Sequence, residues 1–173
     1  YGNERIAIET VIVYGGIEKG KDYSQEDINN IIKKLYDTKF FSKISVDFSN
    51  GILKINVEEN PIINSILIQG EPTKKFTKAI LESLSLKEKS SYIKSDVKND
   101  LETIKYFYRA LGYYSPKVEA RIQEAKVGKN SINLIFEINK GERQKISKIY
   151  FIGEKKIKTK RLRDVIASEE AKF

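Results

Sequence analysis

The sequence predicts an α+β chain of tandem units, each ordered strand-helix-helix-strand-strand, with two helices packed on one face of a three-stranded mixed sheet. Three observations carry this expectation. An alternating apolar run closed by Gly-Glu spans Ile63 to Glu71 and returns from Ile146 to Glu154, 83 residues on. The opening Tyr1-Gly2-Asn3 looks like the tail of a further copy. Between these signals, helical stripes spaced three and four apart are followed by runs that alternate in twos, which are the periods of helix and strand.

In the first unit a short helix is expected from Glu4 to Tyr14, stopped by Gly15-Gly16. A second begins at Tyr23-Ser24, with Ile28, Ile32 and Leu35 on one stripe and Ser24 and Asp27 placed as a cap. After Phe40-Phe41-Ser42, the residues Ile44, Val46 and Phe48 alternate with polar ones. Asn50-Gly51 then turns the chain into a returning strand, Ile52 to Val57. The second unit repeats the plan: strand to Gly70, helix Thr73 to Leu84, and a helix carrying Val97, Leu101, Ile104 and Leu111 with Ser95 as a candidate cap. Tyr113-Tyr114-Ser115 leads into Val118, Ala120 and Ile122, and Gly128-Lys129-Asn130 turns the chain into Ile132, Leu134, Phe136 and Ile138. The breaks at Asn60-Pro61 and Lys140-Gly141 divide the chain into 1–60, 61–141 and a third start at 142–173. The third start should hold a strand and a helix from Lys145 to about Ala167, with Leu162, Val165 and Ile166 as the helix stripe. The first unit keeps at most the tail of its opening strand and should show a gap there.

Composition removes whole classes of chemistry. The chain has no Cys, no His and no Met, so thiolate nucleophiles, imidazole relays and Cys- or His-ligated metals are excluded. Its 173 residues contain no apolar run long enough to be a spanning helix. It opens without an initiator methionine and reads as a piece of something longer. The formal charge of +8 sits in one stretch, 140–163, where ten basic residues face only Glu142 and Glu154. No aromatics interleave with the run Lys155 to Arg163, so it reads as the solvated face of a helix rather than a single-strand nucleic-acid surface. Glu58-Glu59 and Glu169-Glu170 are sequence neighbours; in a strand such neighbours point to opposite faces and cannot flank one substrate. No catalytic, metal or cofactor site is expected.

The ordered set of motifs resembles the POTRA (polypeptide-transport-associated) domains of outer-membrane protein assembly factors. The residues that carry it are Gly2-Asn3-Glu4-Arg5-Ile6, Leu35 to Ser42, Asn56 to Ile63, and Gly70 with Gly112-Tyr113-Tyr114. The resemblance implies a periplasmic scaffold in a Gram-negative outer-membrane pathway. It would receive unfolded outer-membrane β-barrel proteins and pass them to a membrane-embedded barrel. It also implies periplasmic chaperones and accessory lipoproteins of the assembly complex as partners, a C-terminal barrel outside this chain, and no nucleic acid.

The resemblance also places the second strand of each unit at a sheet edge. Edge strands present N–H and C=O groups to which any extended peptide can pair. The candidate binding residues are therefore Lys43, Ser45 and Asp47 in one unit and Lys117, Glu119 and Arg121 in the other. Their charges could equally guard the edges, and proline at Ser45 or Ala120 is the expected way to delete an edge donor. Asn3, Arg5 and Glu9 form a second candidate docking surface; the plainer account is a cap and an i,i+4 pair on the first helix. The competing class is a KH-type RNA-binding module. That fold needs a Gly-x-x-Gly loop, and Gly16 to Gly20 has the wrong spacing.

Overall fold

The computed structural model describes residues 1–153, 158–163 and 165–166. The chain forms two α+β units in tandem. In the first, α1 (Ile8–Gly15) and α2 (Gln25–Asp37) pack on a hairpin of β1 (Phe41–Ser49) and β2 (Ile52–Glu59). Asn50 and Gly51 have φ of 51° and 75°, as a tight hairpin turn requires. α2 starts on a complete capping box between Ser24 and Asp27. Its buried residues Ile28, Ile31 and Leu35 lie three and four apart; the last two join Val11, Phe41 and Val57 in a small core.

The second unit contains β3 (Ile62–Gln69), α3 (Lys74–Ser83), α4 (Lys94–Ala110), β4 (Lys117–Glu124) and β5 (Ser131–Asn139). The sheet order is β3-β5-β4, with β3 parallel and β4 antiparallel to β5, so the sheet is mixed. The core is the larger of the two. Ile63, Ile66, Leu134, Phe136 and Ile138 from the sheet meet Ile80, Ile104 and Tyr108 from the helices. Each such aliphatic side chain contributes about 1.5–3 kcal/mol by leaving water. The opposite sheet face carries charged residues, including the Arg121–Glu137 ion pair, although Ile135 is nearly covered between Leu67 and Arg121.

Four expectations need correction. The first helix begins at Ile8 instead of Glu4, because the amides of Glu4, Arg5 and Ile6 turn to the Glu59 carboxylate. Arg5 and Glu9 therefore do not share a helix, and Arg5 faces Glu59. Ser95 is no cap: the N-cap of α4 is Ile93, and no side chain caps it. The run Ile146 to Ile152 is not a strand, and its Tyr150 and Ile152 are exposed. In the second unit the opening strand is held by β5, which arrives some 60 residues after β3 ends; no such element follows Ile152 among the described residues. The helix beyond it is short, α5 (Thr159–Arg163), and the expected stripe residues Val165 and Ile166 are exposed. Lys155, Lys156, Glu169 and Glu170 lie outside the described residues.

Candidate functional site

Tyr1 lies beside β2: its carbonyl accepts from the Val57 N–H at 2.9 Å, and its amino group donates to the Ile55 carbonyl at 2.8 Å. A side chain on Gly2, at φ 87°, would collide with the Val57 carbonyl oxygen. Gly70, also at φ 87°, stands against the Ile138 carbonyl in the same way. Tyr1 and Gly2 thus occupy beside β2 the place that the end of β3 occupies beside β5. Further back along β2, a cavity of about 500 Å³ opens between Ile8, Val11 and Ile12 of α1 and Leu53, Ile55 and Val57 of β2.

Near each glycine a buried carboxylate fixes the loop. Burial alone would raise the Glu59 carboxyl, but N–H groups of Ile6, Arg5 and Glu4 and the Arg5 guanidinium hold it below the ordinary glutamate range. Glu71 is likewise opposed by burial and held low by the Tyr108 hydroxyl, Thr73 and Lys140. Tyr108 donates to Glu71 at 2.6 Å, and its own phenol is raised, first by burial and then by that bond. Each carboxylate ties structure together. Arg5 is taken by Glu59 at 3.6 Å, Asn3 donates to the Ile6 carbonyl, and Glu9 is exposed, so the three candidate docking residues do not converge.

The sheet rims are where backbone capacity remains. Within a strand, neighbouring residues aim their N–H and C=O groups to opposite sides. The Ile44 N–H donates to the Tyr36 hydroxyl at 3.2 Å, so it points away from β2. By alternation Val46 and Phe48 also point outward, while Lys43, Ser45 and Asp47 bond β2 opposite Glu58, Asn56 and Lys54. The Ala125 N–H donates to the Ser131 carbonyl. Lys117, Glu119 and Arg121 therefore turn toward β5, and Val118, Ala120 and Ile122 turn outward. The candidate residues named from the sequence lie on both edge strands, yet the free donors are their apolar neighbours. Proline at Ser45 would break the hairpin instead of an edge. The signal was present: a two-residue turn closes on a bonded pair, here Ser49 and Ile52, and fixes the alternation from there.

The rims differ in how open they are. Beside β3, the segment 87–92 seals the edge: Ile63 N–H to Ser90 at 2.9 Å, Lys89 N–H to the Ile63 carbonyl at 2.7 Å, and Ile66 N–H to the Glu88 carboxylate at 3.2 Å. β1 begins with an irregularity between Phe41 and Lys43 and is capped by Tyr36. β4 pairs in unbroken register from Lys117 to Glu124, and no partner covers its outer N–H groups among the described residues.

Two α+β modules in tandem, the second with a strand rim left open among the described residues, make a repeat architecture that offers backbone groups to a partner strand. Residues 61–141 match the POTRA family model, described as "Surface antigen variable number repeat". The chain is 24% identical over 170 residues to an outer membrane protein assembly factor BamA of Neorickettsia risticii, covering 98% of this chain and 22% of that protein. It is 27% identical to the BamA of Nitratidesulfovibrio vulgaris, again over 98% of this chain and 22% of that protein. It therefore spans about a fifth of the length of these relatives. Among solved structures, POTRA3-5 of Haemophilus influenzae BamA matches 98% of this chain and 74% of that one at 16% identity, with a TM-score of 0.44.

Proposed function

We propose that this chain is a periplasmic scaffold region of an outer-membrane protein assembly factor. It receives unfolded outer-membrane β-barrel proteins and passes them toward a membrane-embedded barrel supplied by the rest of the protein. The units divide as 1–60, 61–141 and a third start at 142–173. Periplasmic chaperones and accessory lipoproteins of the assembly complex are its partners. The observation that carries the reading is the outer rim of β4, whose Val118, Ala120 and Ile122 N–H groups turn away from β5. Backbone pairing suits clients of many sequences, because it reads N–H and C=O groups common to all of them.

The test is crosslinking of an unfolded β-barrel precursor to photoreactive groups beside β4. Ala120→Pro removes one outward donor without touching the bonds to β5. Crosslinking to β4 should fall by about fivefold to tenfold, the worth of one hydrogen bond at the upper end of its usual range. A folded variant that crosslinks as well as the parent chain would overturn the reading.

A further inference from the structure

We propose that the Tyr36 hydroxyl closes the β1 rim, so that an incoming extended strand is taken by β4 of the second unit and refused by β1 of the first. This rests on the strand-addition reading above and assigns its specificity to one side chain. Both rims are built alike. Each is the strand that follows the second helix of its unit, each is paired on one side only, and each aims outward the N–H groups of an alternate set: Ile44, Val46 and Phe48, or Val118, Ala120 and Ile122. What separates them lies at the last turn of the preceding helix. There α2 carries Tyr36, whose hydroxyl sits 3.2 Å from the Ile44 nitrogen. The corresponding position of α4, five residues before the second aromatic of the pair in each unit, is Arg109, whose side chain turns to Glu102.

An arriving strand must place a carbonyl where the phenol oxygen now stands, so it would have to displace both the hydrogen bond and the ring. The break in register between Phe41 and Lys43 adds to this, since a bulge twists an edge out of pairing geometry. β4 has neither obstacle. Its continuous register offers alternate N–H and C=O groups along its length, and the occupant with matching chemistry is an extended peptide backbone. Ile122 is 52% exposed at this rim, an apolar seat for an inward side chain of such a strand.

Amide-resolved hydrogen exchange on the whole chain tests the assignment, with a short capped peptide of alternating valine and threonine as the probe. In the parent chain the peptide should slow exchange at Val118, Ala120 and Ile122 and leave Val46 and Phe48 unchanged. Tyr36→Phe keeps the ring and removes the acceptor. It should leave β4 protection intact and add protection at Ile44, Val46 and Phe48. Ala120→Pro should weaken peptide binding at β4 by about fivefold to tenfold. Protection of Val46 and Phe48 in the parent chain overturns the gate while strand addition stands, and so does a Tyr36→Phe chain whose β1 stays unprotected. Protection at neither rim overturns the proposed function and the gate with it. Leu53 and Ile55 on the outer side of β2 are read separately, so occupancy of the cavity there cannot be mistaken for either rim.

Discussion

In the second unit β3 lies between β5 and the 87–92 segment and carries Ile63 and Ile66 into the core; in the first, the same place beside β2 holds Tyr1 and Gly2, and a cavity of about 500 Å³ takes up the remainder. The strand ends nevertheless superpose in kind, glycine against a carbonyl in both. The charged pair behind each glycine is exchanged in sign. Glu59, two residues beyond Val57, meets Arg5; Lys140, two residues beyond Ile138, meets Glu71. The comparison teaches that the backbone frame of the unit is fixed by close approach of chain to chain. Side-chain chemistry around it is free to vary so long as each buried charge keeps a partner.

The largest test of that statement is a methyl group. Gly70→Ala places a Cβ into the Ile138 carbonyl at a positive φ, so the ends of β3 and β5 must part. We expect a loss of more than about 3 kcal/mol in the second unit by chemical denaturation. Gly2→Ala meets the Val57 carbonyl in the same way, but Tyr1 and Gly2 are held by few bonds and exposed. Its loss should stay below about 1 kcal/mol. Equal losses at both sites would break the equivalence drawn here.

Asp100 gives the next effect. It is fully buried and accepts from the Ser85 and Leu86 N–H groups at 2.6 and 3.0 Å, pinning the link between α3 and α4. Counting from Tyr92 as from Tyr23, the same position in the first unit is Ile31, buried in its core. Asp100→Ile should nonetheless cost about 2–4 kcal/mol, since two amides lose their acceptor. Ile31→Asp should cost at least as much, because it buries a charge with nothing to meet it. Denaturation midpoints of the two variants check both.

Acid sharpens the comparison of the two carboxylates. Glu59 and Glu71 are both held below the ordinary value, so each stabilises the fold above the unfolded-chain value of about 4.3. That contribution disappears as pH falls through the lower folded value. Thermal melts should therefore be level from neutrality to about pH 5 and fall below it. Glu59→Gln and Glu71→Gln should each flatten the acid limb. A variant that leaves it unchanged removes that carboxylate from the account.

Much of the fold was legible because the unit repeats. The Gly70-Glu71 closure and the Asn-Gly turn each have a local cause, and each lies where the pattern put it. In α2 the helix stands as expected, but Ile31 rather than Ile32 joins Ile28 and Leu35 on the buried stripe. The third opening strand failed for a reason that pattern cannot reach. Ile146 to Ile152 alternates as well as Ile63 to Ile68 does, but alternation alone does not supply the parallel neighbour that β5 gives to β3. At the candidate site the edge strands were legible, and in β1 the donors could be counted from the Asn50-Gly51 turn. Charged residues drew attention, whereas the backbone direction at Ile44 and Ala120 follows from register. Tyr36 carried no sequence signal of its own. Its meaning depends on a helix end and a strand start meeting in space.

The smallest effect separates the helices that lead into the two rims. α2 is capped on both counts: the Ser24 hydroxyl accepts from the Asp27 N–H, and the Asp27 carboxylate accepts from Ser24. The Asp27 carboxyl is accordingly lowered to about 2, first by the Ser24 hydroxyl and then by Lys21. α4 has Ile93 at its N-cap with no side-chain bond, and Ser95 lies one residue inside the helix. Ser24→Ala should therefore cost about 1 kcal/mol and loosen the far end of α2 little, since helix ends fray locally. Ser95→Ala should cost less than about 0.5 kcal/mol. If the two alanines cost the same, the long α4 depends on its first turn as much as α2 does. Its stability would then not come from Val97, Ile104 and Tyr108 packing on the sheet.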